Sequence, residues 1–163
     1  MMIKMGKEKT ADREINTSRI LAAPRELIWN AWTDPEQIGR WWGPRGFSTT
    51  TEKMDLKPNG VWLFVMHGPD GRDYKNKIIY LEVNKPERLV YRHAGDEETE
   101  PVNFHVTVTF TEQGNKTILK LKSEFESAEE LQRVDREYGA IEGLHETLGR
   151  LEEYLTQQTG SVR

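Results

Sequence analysis

From Phe47 to Phe125 apolar and polar residues alternate in short runs broken by turn residues. The clearest run sets Val102, Phe104, Val106, Val108 and Phe110 against Asn103, His105, Thr107 and Thr109. A period of two with one apolar face predicts an antiparallel strand covered on one side only. Further strands are predicted over Glu14 to Leu21, Val61 to His67, Tyr74 to Val83, Leu89 to His93 and Thr117 to Ser123. Between them stand Lys57-Pro58-Asn59-Gly60, Gly68-Pro69-Asp70-Gly71, Asn84-Lys85-Pro86-Glu87 and Gln113-Gly114-Asn115. Such clusters punctuate strands, and connections this short imply an antiparallel meander.

Two stretches change period. From Ala22 to Pro44 the chain carries four of its five tryptophans: Trp29, Trp32, Trp41 and Trp42. Pro24 suits the first turn of a helix whose apolar side is Leu27, Ile28, Ala31 and Trp32. Asp34, Pro35 and Gln37 then read as N-cap, first residue and returning side chain of a second helix, which carries Ile38, Trp41 and Trp42 and stops at Gly43-Pro44. Each buried tryptophan removes about 150–250 Å² from water, so four on short helices suggest the wall of a large apolar space. Trp41 and Trp42 point about 100° apart on a helix, so one of them is expected at a cavity mouth or in solvent. The second stretch begins at a capping box, Ser127 with Glu130. One continuous helix is predicted from there to about Leu155, with Leu131, Val134, Tyr138, Ile141, Leu144, Leu148, Leu151 and Leu155 as its stripe. At 1.5 Å per residue it would run roughly 40 Å, so a sheet burying the whole stripe must curve around it.

Composition narrows the classes. Length, 163 residues, fits one domain, expected over 13–157 between a flexible tail at 1–12 and another at 158–163. Hydrophobic residues make 36% and charged residues 31%, with no apolar run near the roughly 18 residues of a membrane span. The opening MMIKMGKEKTADRE is charged and does not read as a secretory signal; a cytoplasmic location is expected. Cysteine is absent, which removes disulfides, thiolate catalysis and cysteine zinc sites. The net charge of −4, with basic and acidic residues interleaved, argues against a nucleic-acid partner. Asp96-Glu97-Glu98 with Glu100 lacks the glycine-punctuated spacing of a calcium loop and reads as an exposed acidic hairpin tip. The four histidines, His67, His93, His105 and His145, show no metal-ligand spacing. No nucleophile elbow, P-loop or dinucleotide fingerprint occurs. No catalytic residue, metal or cofactor is assigned.

The order strand, two short helices, strand meander and long C-terminal helix resembles the START-like, helix-grip superfamily, also called SRPBCC, to which the major birch pollen allergen belongs. Within it the chain resembles the branch homologous to the C-terminal domain of the activator of the 90-kDa heat-shock protein ATPase. The resemblance rests on Arg19, Ala23-Pro24 with Trp29, Thr33-Asp34-Pro35-Glu36, and Trp41-Trp42-Gly43-Pro44. It continues in Pro58-Asn59-Gly60-Val61-Trp62, Gly68-Pro69-Asp70-Gly71, Pro86-Glu87-Arg88-Leu89, and Glu142-Gly143 followed by Leu148 and Leu151-Glu152-Glu153-Tyr154-Leu155. Relatives commonly have Gly-Gly at Asn59-Gly60 and Trp-Gly at Leu144-His145. The resemblance implies an α+β helix-grip fold, with a curved antiparallel sheet around the C-terminal helix and a cavity between them gated by the two short helices.

It also implies that Trp62, Phe64 and Met66 face inward. Val61, Leu63 and Val65 then face outward, a candidate homodimer surface. The main expectation is a non-enzymatic protein that holds a small apolar molecule, lined by Trp29, Trp41, Trp62, Phe64, Met66, Tyr80, Tyr91, Phe104, Leu144, His145 and Leu148. Tyr80, Tyr91 and His145 would supply polar contacts; His145 shares a helix face with Ile141, and His93 is the second polar candidate. Two alternatives stand beside it: a chaperone-interaction module, and an enzyme of cyclase or aromatase type.

Overall fold

The computed structural model describes residues 12–96 and 100–160. Seven strands are present: β1 (Glu14–Leu21), β2 (Ser48–Met54), β3 (Val61–His67), β4 (Asp73–Asn84), β5 (Arg88–Asp96), β6 (Glu100–Gln113) and β7 (Lys116–Phe125). They form one antiparallel sheet in the order β1-β7-β6-β5-β4-β3-β2. Register shifts at Thr51/Lys53, Tyr80/Glu82 and His93/Gly95 interrupt three of the ladders. An extra residue on one strand bends it and tightens its twist, which is how a seven-stranded sheet curls into a grip.

Alternation decides which side chains enter the grip. Val106, Val108 and Phe110 of β6 are buried, as are Trp62 and Phe64 of β3, Tyr80 of β4 and Leu89 and Tyr91 of β5. The turn that leads from β2 into β3 holds Asn59 at φ 68, a conformation asparagine enters more readily than most residues. A Cβ on Gly60 would overlap the Asp55 carbonyl oxygen, so this position accepts only glycine without a backbone shift.

Helices α1 (Arg25–Thr33) and α2 (Pro35–Ile38) join β1 to β2. Pro24 directly precedes α1 with φ −66, and Pro35 opens α2. The Asp34 carboxylate accepts from the Glu36 N–H, while the Gln37 side chain donates to that same carboxylate rather than reaching back to the backbone. Helix α2 ends at Ile38 and turns carry the chain through Trp41. Both adjacent tryptophans are nonetheless buried, Trp41 fully and Trp42 at 9% exposure. Of the two places expected for one of them, a cavity mouth or solvent, solvent is not reached, because the short helix lets the chain wind between α1 and the sheet; Trp42 instead borders a cavity. Trp32, Trp41 and Trp42 then pack edge to face at 5.0–6.1 Å, the arrangement aromatic quadrupoles favour.

The single C-terminal helix predicted from sequence is two helices, α3 (Ala128–Tyr138) and α4 (Ala140–Gly160). Ser127 caps α3 by accepting from the Glu130 N–H, but the Glu130 carboxylate turns to Arg133 instead of completing the box. Gly139 sits at φ 63, ψ 45, and its N–H bonds the Asp135 carbonyl. A left-handed residue ends the helical path, and the stripe restarts in a new phase: Leu144, Leu148, Leu151 and Leu155 face the sheet while Ile141 is 40% exposed.

Helix α3 thereby covers one end of the sheet and makes a small core of its own, Leu131 and Val134 against Ile15 and Phe125. Helix α4 joins the main core, and Arg19, Arg45 and Tyr154 help tie it to its neighbours. Arg19 of β1 donates to Glu152 at 2.9 Å and to the His145 carbonyl at 3.2 Å. Arg45 pairs with Glu153 at 2.7 Å, and the Tyr154 hydroxyl donates to Gln37 at 2.9 Å.

Candidate functional site: a cavity between sheet and helices

Where the two cores meet they do not fill the space. A cavity of about 310 Å³ remains, lined by members of both, among them Trp32, Trp42, Tyr91, Leu121 and Leu148 from the main core and Ile15, Phe125 and Val134 from the smaller one. Exposed Glu137 and Gly139 at the α3–α4 joint border it, marking where it reaches solvent. Opposite them stand Gly43, Pro44 and Phe47. That loop is held from below by Arg150 of α4, whose Nη1 lies 2.9–3.4 Å from the carbonyl oxygens of Trp42, Gly43, Pro44 and Phe47. Burial lowers the Arg150 pKa, yet five backbone carbonyls including Arg40 give its charge oxygen partners.

Of the residues expected to line the cavity, Met66, Tyr91, Phe104, Leu144 and Leu148 do so. Trp62 and Phe64 point inward but lie beneath the Trp42 ring, at 5.0 and 6.0 Å between centroids. Trp29 packs on Phe110 at 5.7 Å, outside the lining. Trp41 is absorbed under Trp32, its indole N–H donating to the Ala31 carbonyl at 3.1 Å. Tyr80 is buried beside Tyr91 without reaching the space. His145 is exposed on the outer side of α4, because the phase restarts after Gly139 and carries its face, with Ile141, away from the sheet. The acidic tip read at Asp96 to Glu100 falls mainly on residues 97–99, outside the described residues.

The polar equipment of the cavity sits on the sheet. His93 is half-buried in the lining, between the Phe104 and Phe64 rings at 5.0 and 6.1 Å. The Asn76 amide donates to the Tyr74 carbonyl at 3.1 Å, which fixes its orientation and turns Oδ1 toward His93 Nε2 at 2.8 Å. A carbonyl oxygen accepts only, so Nε2 carries the proton and Nδ1 is left as a lone pair. Burial pushes the ring down to about 4, so it is neutral at pH 7. Ser123, two strands away, is 5% exposed and lines the same space. Among the described residues no fully enclosed side-chain nitrogen or oxygen lacks a partner. His93 Nδ1 and the Ser123 hydroxyl, which have no partner of their own, therefore open onto the cavity. Burial raises the Tyr91 and Tyr80 pKa values, keeping both phenols protonated.

A second polar group lies on the outer face. His67 contacts Thr50 Oγ1 at 2.8 Å and Asp73 at 2.7 Å, but these side chains are exposed and point away from the cavity. No helix among the described residues is long and apolar enough to cross a membrane.

The family described as Activator of Hsp90 ATPase homolog 1-like protein matches residues 22–156, spanning both helix pairs and strands β2 to β7. The chain belongs to that family. Its fold is the START-like helix grip, as solved structures of similar proteins confirm. Protein NE0264 of Nitrosomonas europaea is 26% identical with a TM-score of 0.81, over 92% of this chain and 98% of that one. A protein of Arthrobacter aurescens is 27% identical with a TM-score of 0.84, over 91% and 88%. Protein Ms6760 of Mycobacterium smegmatis is 29% identical with a TM-score of 0.79, over 90% and 93%. No curated protein matches the chain.

Sequence reasoning missed Asn76, Ser123 and Phe47 as lining residues. Asn76 lies between Lys75 and Lys77, a surface pattern by composition. Its place opposite Phe64, which points inward, was the signal that it faces the grip.

Proposed function

We propose that this protein binds a small, mainly apolar molecule in the cavity between the sheet and the C-terminal helices. The observation that carries the reading is the cavity itself, about 310 Å³ with aromatic walls and few polar atoms. Pockets for small molecules run from about 300 to about 1,000 Å³ and share this make-up. A ligand burying about 200 Å² of apolar surface gains roughly 5 kcal/mol. Association costs offset much of that, so affinity rests in the micromolar range unless polar contacts add to it. Native mass spectrometry of freshly purified protein tests the reading. A retained small molecule, or uptake of apolar probes that quenches tryptophan emission, is expected; native-like protein that takes up neither refutes it.

One outward feature supports self-association as well. Val61, Leu63 and Val65 lie on the convex face, and the register sets Ile79 beside Val61, with Leu81 39% exposed further along β4. A second copy of the chain would cover this patch; light scattering that finds only monomer at high concentration removes the idea. The family description also suggests stimulation of a heat-shock ATPase, which a steady-state ATPase assay with the chaperone separates from ligand binding.

A further inference from the structure

We infer that the molecule held in this cavity is a neutral, ring-containing compound bearing a hydroxyl or N–H donor, and that the Asn76–His93 pair selects for that donor. The inference rests on the cavity reading above and adds the chemistry of its occupant.

A chain of fixed orientations runs along the sheet to His93. The Tyr74 carbonyl holds the Asn76 amide, and the amide oxygen holds the His93 N–H. What His93 presents to the cavity is an acceptor with no partner in the protein. A buried acceptor left unmatched costs free energy, so a guest that donates to it is favoured over an isosteric guest that cannot.

Charge excludes a second class. Among the described residues that line the cavity, the one Asp, Glu, Lys or Arg is Glu137, a carboxylate at the exposed end. The nearby guanidinium of Arg150 is engaged by the carbonyl oxygens of the Trp42–Phe47 loop. A carboxylate guest would leave water without meeting a cation, so fatty acids and aryl carboxylates are disfavoured. Shape points the same way. Trp32, Trp42, Phe47, Tyr74, Phe104 and Phe125 supply flat walls, which suit rings better than flexible chains.

The register adds a second contact. Tyr91 pairs with Val106, and Val106 pairs with Ser123, so the Ser123 hydroxyl lies two strands from Tyr91 in one row. Two strand spacings are roughly 10 Å. His93 stands two residues along β5 from Tyr91, so Ser123 lies on its diagonal at roughly 12 Å; a guest of that length with a donor at one end and a polar group at the other would meet both.

Matched compounds test this: 2-naphthol, 2-methoxynaphthalene and 2-naphthoic acid, titrated into the full chain at pH 7 and followed by calorimetry and saturation-transfer NMR. Naphthol is expected to bind at least about tenfold more tightly than its methyl ether, and the carboxylate not at all. In His93→Phe the naphthol advantage is expected to vanish while the ether's affinity stays within about twofold. A readout that needs no variant accompanies it. The ¹⁵N resonance of His93 Nδ1 should move upfield with naphthol and stay in place with the ether. Equal binding of naphthol and ether, or preference for the carboxylate, would overturn the inference while leaving the cavity reading intact. Binding of none of the three would instead overturn the cavity reading, and this inference with it.

Discussion

Acidification should destabilise this protein through His93. Burial holds its ring down to about 4, against an ordinary value near 6.5. Between those values the unfolded chain binds a proton that the native state refuses. Stability therefore rises with pH across this window, is fully present above about 6.5, and is lost as pH falls through about 4. A difference of about 2.5 units at 1.36 kcal/mol each sets a ceiling of about 3.4 kcal/mol. The ring is part-buried on the wall of a cavity that reaches solvent. Solvent access of that kind would partly hydrate an imidazolium, so we expect about 1–2 kcal/mol. Urea denaturation of wild type and His93→Gln at pH 7, 6, 5 and 4.5 measures it. Glutamine keeps an N–H for Asn76 but cannot titrate. The other titratable lining residues, Glu137, Tyr74, Tyr91 and Tyr138, are common to both proteins and cancel. The stability difference between wild type and variant should shift by about 1–2 kcal/mol toward the variant between pH 7 and pH 4.5. Parallel pH curves would refute the neutral, buried assignment of His93.

Four substitutions test other parts of the structure. Gly139→Ala should cost about 1–2 kcal/mol in thermal or urea denaturation, purely through the left-handed backbone, because a Cβ there meets nothing within 4 Å. Gly60→Ala should cost more than about 3 kcal/mol or prevent folding, since its Cβ would overlap the Asp55 carbonyl; soluble expression with an unchanged midpoint would contradict this. Arg150→Met should lose about 2 kcal/mol and shift tryptophan emission to the red, as the carbonyl oxygens of the loop after Trp42 lose the guanidinium that bonds them. Thr117→Val should cost about 1 kcal/mol, the buried Oγ1 bond to the Ala23 carbonyl at 2.7 Å being lost without a replacement partner.

The sheet was legible because its signal is local. Alternation along Val102 to Phe110 settles a strand and its buried face without any neighbour, and Asn59-Gly60 settles a turn through one dihedral. The cavity wall is a different kind of fact. An inward side chain borders empty space only if no other side chain lies over it, and Trp42, arriving from another element, covers Trp62 and Phe64. Spacing within β3 contains no trace of that. Met66, Tyr91, Phe104, Leu144 and Leu148 reach the space because nothing intervenes. His145 went wrong for a cause that was visible: Gly139 stands mid-stripe after Tyr138, where a glycine commonly ends a helix. A break there resets the helical phase and turns His145 outward. Asn76 shows the converse, since a polar residue flanked by two lysines looks solvent-bound until the strand pairing sets it opposite Phe64.

On the proposed reading, the glycine joint between α3 and α4 and the imidazole on β5 would divide the labour of recognition between two kinds of scaffold. The acceptor is anchored mid-sheet, with hydrogen-bonded strands on either side. The outline that surrounds it is drawn by a jointed helix pair and by a loop tied to α4 through Arg150 and Arg45. Sequence drift on the helical side would recut the silhouette a guest must match, whereas the atom that reads its chemistry would stay where it is.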